Sequence, residues 1–123
     1  MTKILIVDDE KDIVETLSFM LKTKGYETIT AYDGEEGLKL AKEEHPDLII
    51  LDVMMPKING YKICRLLKYD AKYKNIPIVM VTARSQEGDK LIGEETGADR
   101  YITKPFEFSD ILDVINELID KQA

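Results

Sequence analysis

Four short apolar runs constrain this chain more than anything else in it: Ile4 to Val7, Leu48 to Leu51, Ile76 to Val81, and Tyr101-Ile102. They are rich in branched residues and do not alternate with polar ones, which is how strands buried on both faces of a parallel sheet read. A weaker run, Glu27 to Ala31, does alternate and suits an edge strand. Helix-length segments lie between them. Ile13, Leu17, Met20 and Leu21 share one helical face, and Gly25 is placed to end that helix. Gly37 to Glu44 reads as a second helix, closed by His45-Pro46. Ile63, Leu66 and Leu67 mark a third, Leu91 and Ile92 a fourth ahead of Gly97, and Ile111, Leu112, Ile115, Leu118 and Ile119 a fifth. Strand and helix repeated five times predict right-handed crossovers and a doubly wound α/β sheet with helices on both faces.

Nothing suggests a second domain: the 123 residues contain no linker, repeat or low-complexity tract, so a single domain over 1–123 is expected. The lone Cys64 excludes an intrachain disulfide framework and a cysteine zinc site, and it reads as a small buried hydrophobe. No apolar run approaches the ~20 residues that span a bilayer. The start, Met-Thr-Lys-Ile, leads straight into a strand rather than a signal sequence, so a soluble, cytoplasmic protein is expected. The net charge of −7 disfavours nucleic acid as a direct partner, because phosphate contacts need clustered Lys and Arg.

The polar residues fall where the strands stop. The first strand runs into Asp8-Asp9-Glu10, the third into Asp52, the fourth into Thr82, and the fifth into Thr103-Lys104-Pro105. Doubly wound sheets bind ligands beyond the carboxyl ends of their strands, at a switch in strand order. If the order is 2-1-3-4-5, an order adopted from that class of fold, Asp8, Asp9 and Asp52 meet at the switch, with Thr82 and Lys104 on the same rim. Carboxylates held this close repel one another unless a cation joins them. Mg²⁺ suits such a site, since it takes a few carboxylates and shares oxygens with phosphate. Asp8, Asp9 and Glu10 also suit the start of a helix, but helix capping does not account for Asp52, Thr82 and Lys104 ending three other strands. A carboxylate can act as nucleophile toward a phosphoryl group. A lysine ammonium and a threonine hydroxyl beside it can stabilise the phosphoryl oxygens.

Taken together, Ile6-Val-Asp-Asp-Glu10, Asp47 to Pro56, Asn59-Gly60, Val81-Thr-Ala83, Gly97-Ala-Asp99 and Tyr101 to Phe106 resemble the bacterial response-regulator receiver family, of the chemotaxis-regulator type, over essentially the whole chain. The resemblance implies a flavodoxin-like fold and a phosphorylation switch of a two-component system. It makes Asp52 the phosphoacceptor, Asp9 a direct Mg²⁺ ligand, Asp8 an indirect one, and Met54 a ligand through its backbone carbonyl. Lys104 would pair with the phosphoryl group, and Thr82 and Tyr101 would form a switch pair acting on the face of helix four, strand five and helix five. The Lys104-Pro105 bond is expected to be cis, and Gly60 to need a positive φ. Asn59 stands where the family often has Asp, and both suit a helix start. Met54 and Arg84 sit where such domains tune the lifetime of the phosphoryl group.

The implied partners are a sensor histidine kinase or phosphotransfer protein, docking on helix one and the loop after strand five, and a downstream protein target. The domain would be no enzyme in the ordinary sense, but a phosphoacceptor that catalyses its own phosphotransfer and a slow autodephosphorylation. The alternative within the family is a receiver cut from a longer DNA-binding regulator. A haloacid-dehalogenase-type phosphatase needs a second acid two residues after the nucleophile, where this chain has Met54. A flavin carrier needs a Gly- and hydroxyl-rich loop after strand one, where this chain has three acids. His45, Lys68 to Lys74 and the five methionines read as a loop residue, a solvated helix end and mostly core filler.

Overall fold

The computed structural model describes residues 1–55, 57–83 and 97–120. Five parallel strands, β1 (Lys3–Val7), β2 (Glu27–Ala31), β3 (Leu48–Asp52), β4 (Ile78–Ala83) and β5 (Arg100–Lys104), form one sheet in the order β2-β1-β3-β4-β5. The described helices are α1 (Lys11–Thr23), α2 (Gly34–Glu44), α3 (Gly60–Lys68) and α4 (Phe108–Asp120). The helix expected around Leu91 and Ile92, and Arg84, lie outside the described residues.

Successive strand residues point to opposite faces, and here both faces are covered. Ile4, Ile6, Ile50, Val79, Val81 and Ile102 pack with α1 and α4. Leu5, Val7, Ile49, Leu51, Ile78 and Met80 pack with α2 and α3. This is the physical reason for the non-alternating runs: neither face of β1, β3 or β4 meets water. Each such Ile, Leu or Val contributes about 1.5–3 kcal/mol on burial.

Several boundaries differ from expectation for local reasons. α2 begins at Gly34, three residues early, because Asp33 caps it and accepts the Glu36 N–H at 2.8 Å. β4 begins at Ile78, after Pro77, which has no N–H to give a ladder. In α1 the buried residues are Val14, Leu17, Ser18 and Leu21, with Ile13 and Met20 half-buried at the edge of the face. In α3, Cys64 is buried and Leu66 is 42% exposed, so Cys64 fills the core place expected for Leu66. Gly25 does end α1, at φ 91°.

The stretch from Lys68 to Lys74 is largely solvated, as its charges suggest, with Tyr69, Ala71, Lys72 and Lys74 exposed, but Lys68 and Tyr73 are held against the fold. Lys68 Nζ lies 2.7 Å from Asp99 Oδ2 and donates to the carbonyls of Lys74 and Ile76. Asp99 Oδ2 also accepts the Ile78 N–H at 2.8 Å, so one ion pair ties the end of α3 to the starts of β4 and β5. Tyr73 is buried, and the exposed His45 stacks on it at 5.5 Å. Of the methionines, Met80 is fully buried while Met1 and Met54 are exposed, so core filling holds for a minority of them.

Candidate functional site

Register brings the strand ends together. Val7 pairs with Leu51, and Asp52 pairs with Val81, so the residues that follow β1 stand beside the last residue of β3. Thr82 and Lys104 follow on the same rim, through Thr82↔Thr103 and Ala83↔Lys104. One carboxylate oxygen from each of Asp8, Asp9 and Asp52 can be chosen so that all lie within 4.8 Å of one another. Asp8 and Asp52 are buried, and Asp9 faces solvent.

Burial, reinforced by the charge of Asp8, pushes the Asp52 carboxyl up from 3.8 to about 7, against the opposing pull of Lys104. The cluster is thus a concentration of negative charge short of counter-charge. Its donor set is carboxylate oxygen throughout, which fits a small hard divalent cation. Lys104 supplies part of what is lacking. Its ammonium lies 3.0 Å from Asp8 Oδ2, 3.0 Å from Glu10 Oε1 and 3.7 Å from Asp52 Oδ1. Burial works against that ammonium, but its hydrogen bonds to Glu10 and Asp8 outweigh burial and leave its pKa raised.

Thr82 is fully buried near the end of β4, and its hydroxyl has no hydrogen-bond partner among the described residues. A buried hydroxyl is costly to leave without a partner, so this one is a candidate donor at the site. Tyr101 starts one strand over, opposite Met80, half-buried and with its hydroxyl already inside the protein. Met54 lies two residues beyond Asp52 with its side chain 63% exposed.

The loop that follows Asp52 is held by two backbone hydrogen bonds. Val53 N–H donates to Val81 O at 3.1 Å, and Gly60 N–H donates to Val53 O at 2.8 Å. Gly60 has no positive φ; it is required for a different reason. A Cβ there would sit 2.3 Å from Asp52 O and 2.9 Å from Val53 Cα, so only glycine lets α3 begin against the end of β3. Asn59 caps α3, accepting the Lys62 N–H at 3.0 Å, so the exchange of Asp for Asn leaves the helix start intact. The Lys104-Pro105 bond is cis, as expected.

Two contacts at the site had no sequence signal behind them. Lys57, at φ 72°, reaches Asp33 (3.6 Å) and Glu35 (3.7 Å) and fastens the loop to the start of α2. Glu10, read as a helix-start acid, makes no side-chain cap and instead binds Lys104. A capping residue and an ion-pair partner look alike in one dimension.

A doubly wound sheet whose switch point carries clustered carboxylates, a lysine and a threonine defines a class, and comparison with known proteins gives that class its name. The family model described as "Response regulator receiver domain" matches residues 4–116, and the chain belongs to that family. Among curated relatives, the alkaline phosphatase synthesis transcriptional regulatory protein PhoP of Bacillus subtilis is 53% identical over 104 residues, 85% of this chain but 42% of that protein. The chain therefore spans less than half the length of that relative. Among solved structures, Vibrio cholerae chemotaxis response regulator CheY4 superposes with a TM-score of 0.89 at 35% identity, covering 96% of this chain and 98% of that one. The Francisella response regulator 1452 receiver domain superposes at 0.90 with 29% identity over 100% of both chains. Among the described residues, no helix is long and apolar enough to cross a membrane.

Proposed function

We propose that Asp52 accepts a phosphoryl group and that the domain works as the phosphorylation switch of a two-component system. The juxtaposition of Asp8, Asp9 and Asp52 with Lys104 and a buried Thr82 hydroxyl that has no partner among the described residues carries this reading. An Asp52 oxygen attacks phosphorus, the bond from phosphorus to the donor's imidazole nitrogen breaks, and the phosphoryl group remains as an acyl phosphate. Lys104 moves from its carboxylate partners onto a phosphoryl oxygen, and Thr82 donates its hydroxyl to another. Asp8, Asp9 and Asp52, with the Met54 carbonyl, would hold Mg²⁺. Mg²⁺ bound there supplies the positive charge that offsets the phosphoryl oxygens. The domain thus catalyses its own phosphotransfer and a slow loss of the phosphoryl group.

The donor is a phosphohistidine on a sensor histidine kinase or a phosphotransfer protein. An apolar groove of ≈ 700 Å³ beside the site supports this. Ile13, Leu17 and Met20 of α1 and Phe106 and Phe108 after β5 line it, and Glu10 and Lys104 lie at its edge. On the output side, phosphorylation draws Thr82 toward the new oxygens and favours the inward position of Tyr101. A downstream protein partner reads that shift in population. Its expected surface includes β5 and α4, and Tyr101→Ala is expected to abolish phosphorylation-dependent partner binding. The protein is placed in the cytoplasm, where such kinases present their phosphohistidine, and residues 1–123 act as one domain. A second reading, a receiver within a longer DNA-binding regulator, is favoured by the 42% coverage of the transcriptional regulator PhoP.

The test is incubation with acetyl phosphate and Mg²⁺, followed by intact mass. One added phosphoryl group, absent in Asp52→Asn and without Mg²⁺, is expected; no addition to the folded wild type refutes the reading.

A further inference from the structure

Lys104 has three ammonium protons and two close acceptors. Asp8 and Glu10 each lie 3.0 Å away, while Asp52, the residue whose chemistry needs the charge, lies at 3.7 Å. The two holds differ in kind. Asp8 is a buried member of the carboxylate cluster, and its other oxygen accepts the Glu10 N–H at 2.9 Å. Glu10 is not part of that cluster, and its side chain is 60% exposed. It starts α1 without capping it, so the carboxylate is free of helix duty and spends its hydrogen bond on Lys104. Glu10 and Lys104 both line the apolar groove beside the site.

We propose that Glu10 is a positioning residue that holds Lys104 at the rim and so restrains phosphoryl uptake by Asp52. The inference rests on the function proposed above and adds to it. Before Lys104 can neutralise an incoming phosphoryl oxygen, it must leave Glu10. A half-exposed ion pair of this kind is a modest hold, strong enough to slow the step by a small factor and too weak to block it. The same contact gives the docking groove a way to act on the chemistry. A donor protein that seats over the rim and presents its own cation to Glu10 would release Lys104 at the moment the phosphohistidine arrives, whereas a small-molecule donor would meet the restrained lysine.

The experiment is a double-mutant cycle in acetyl phosphate at saturating Mg²⁺, reading the initial rate of phosphoryl uptake by intact mass. Glu10→Gln is expected to raise the rate about three- to fivefold in the wild-type chain, the factor an exposed ion pair supports. In a Lys104→Ala background the same substitution is expected to change the rate by less than about 1.5-fold, because its effect passes through the lysine. An equal rise in both backgrounds would mean that Glu10 acts only by repelling the anionic donor, and would overturn the proposal. An unchanged rate in the wild-type background would overturn it as well. Lysine side-chain NMR provides a readout that needs no turnover: the Lys104 Cε methylene signal should shift and narrow in Glu10→Gln while other lysines stay put, and no change there refutes the hold. Absence of uptake by the wild type itself would sink the phosphoacceptor reading along with this one. Uptake by the wild type with a flat response to Glu10→Gln would sink this one alone.

Discussion

Asp52→Asn removes a charge that the fold tolerates poorly, so it should stabilise the protein even as it takes away the phosphoacceptor proposed above. The carboxyl is buried beside Asp8 and titrates near 7, against 3.8 in an unstructured chain. Between those values the folded protein keeps a proton that the unfolded chain has released. Each step up in pH across that window therefore subtracts stability, and the loss is complete above the folded value. The span is roughly three units at about 1.4 kcal/mol each, or about 4 kcal/mol at full ionisation. Two of those units lie above pH 5. In the absence of divalent cations, Asp52→Asn should gain about 3 kcal/mol on the wild type between pH 5 and pH 8. With a urea slope of about 2 kcal/mol per molar, the gap between the two midpoints widens by about 1.5 M. Urea titrations followed by circular dichroism at both pH values measure it, and taking the difference between the two proteins cancels the titrating groups that do not interact with Asp52. Saturating Mg²⁺ should close much of the gap, because the cation offsets the same charge. A gap independent of pH would show that Asp52 is not held in a charge-poor site, and the electrostatic argument for a cation there would fall.

Three other perturbations probe different supports of the site. Gly60→Ala places a methyl group 2.3 Å from the Asp52 carbonyl oxygen, with backbone on both sides; a loss of about 2–4 kcal/mol in thermal or urea unfolding is expected, with slower phosphoryl uptake. Lys68→Met strands Asp99, whose carboxylate otherwise has Lys68 at 2.7 Å. It should cost about 2–3 kcal/mol, and adding Asp99→Asn should restore part of that, since the amide oxygen still accepts the Ile78 N–H. Mg²⁺ at a hundredfold over its dissociation constant should stabilise the wild type by about 2.7 kcal/mol near pH 8. A chelator should reverse this, and Asp9→Asn should show little of it.

How far the sequence reaches is clearest at the strand ends. Asp8, Asp9, Asp52, Thr82 and Lys104 were readable because a parallel sheet puts every strand's carboxyl end on one edge, so a polar residue closing an apolar run has only one place to go. The reading weakened where a residue's partner is distant in the chain and the residue has a plausible local role. Glu10 is a case, since its partner Lys104 is far along the sequence while the start of α1 lies beside it. Lys68 is another: a lysine at a helix end looks solvated until Asp99, beyond β4 in the chain, is seen to claim it. The glycines show a third kind of limit. Gly60 was recognised as necessary, but for a torsion angle instead of for the 2.3 Å approach of a backbone oxygen, and no one-dimensional pattern distinguishes those reasons. The start of α2 is legible by a different rule: Asp33 followed by Glu36 is a capping pattern, and it places the helix three residues earlier than hydrophobic spacing does.

The position of each strand in the sheet also decides which part of the site comes apart first. β1 and β3 are hydrogen-bonded on both sides and fully covered, so the amides of Leu5, Ile6, Ile49 and Ile50 belong to the last segments to exchange with solvent. The spacing of Asp8 and Asp9 from Asp52 is built into that slow-exchanging centre. Lys104 rides on β5, paired with β4 alone among the described strands and less deeply covered. Partial opening therefore separates the lysine from the carboxylates while leaving the carboxylates in register with one another. The domain can lose Lys104 from the site and regain it without dismantling the carboxylate cluster.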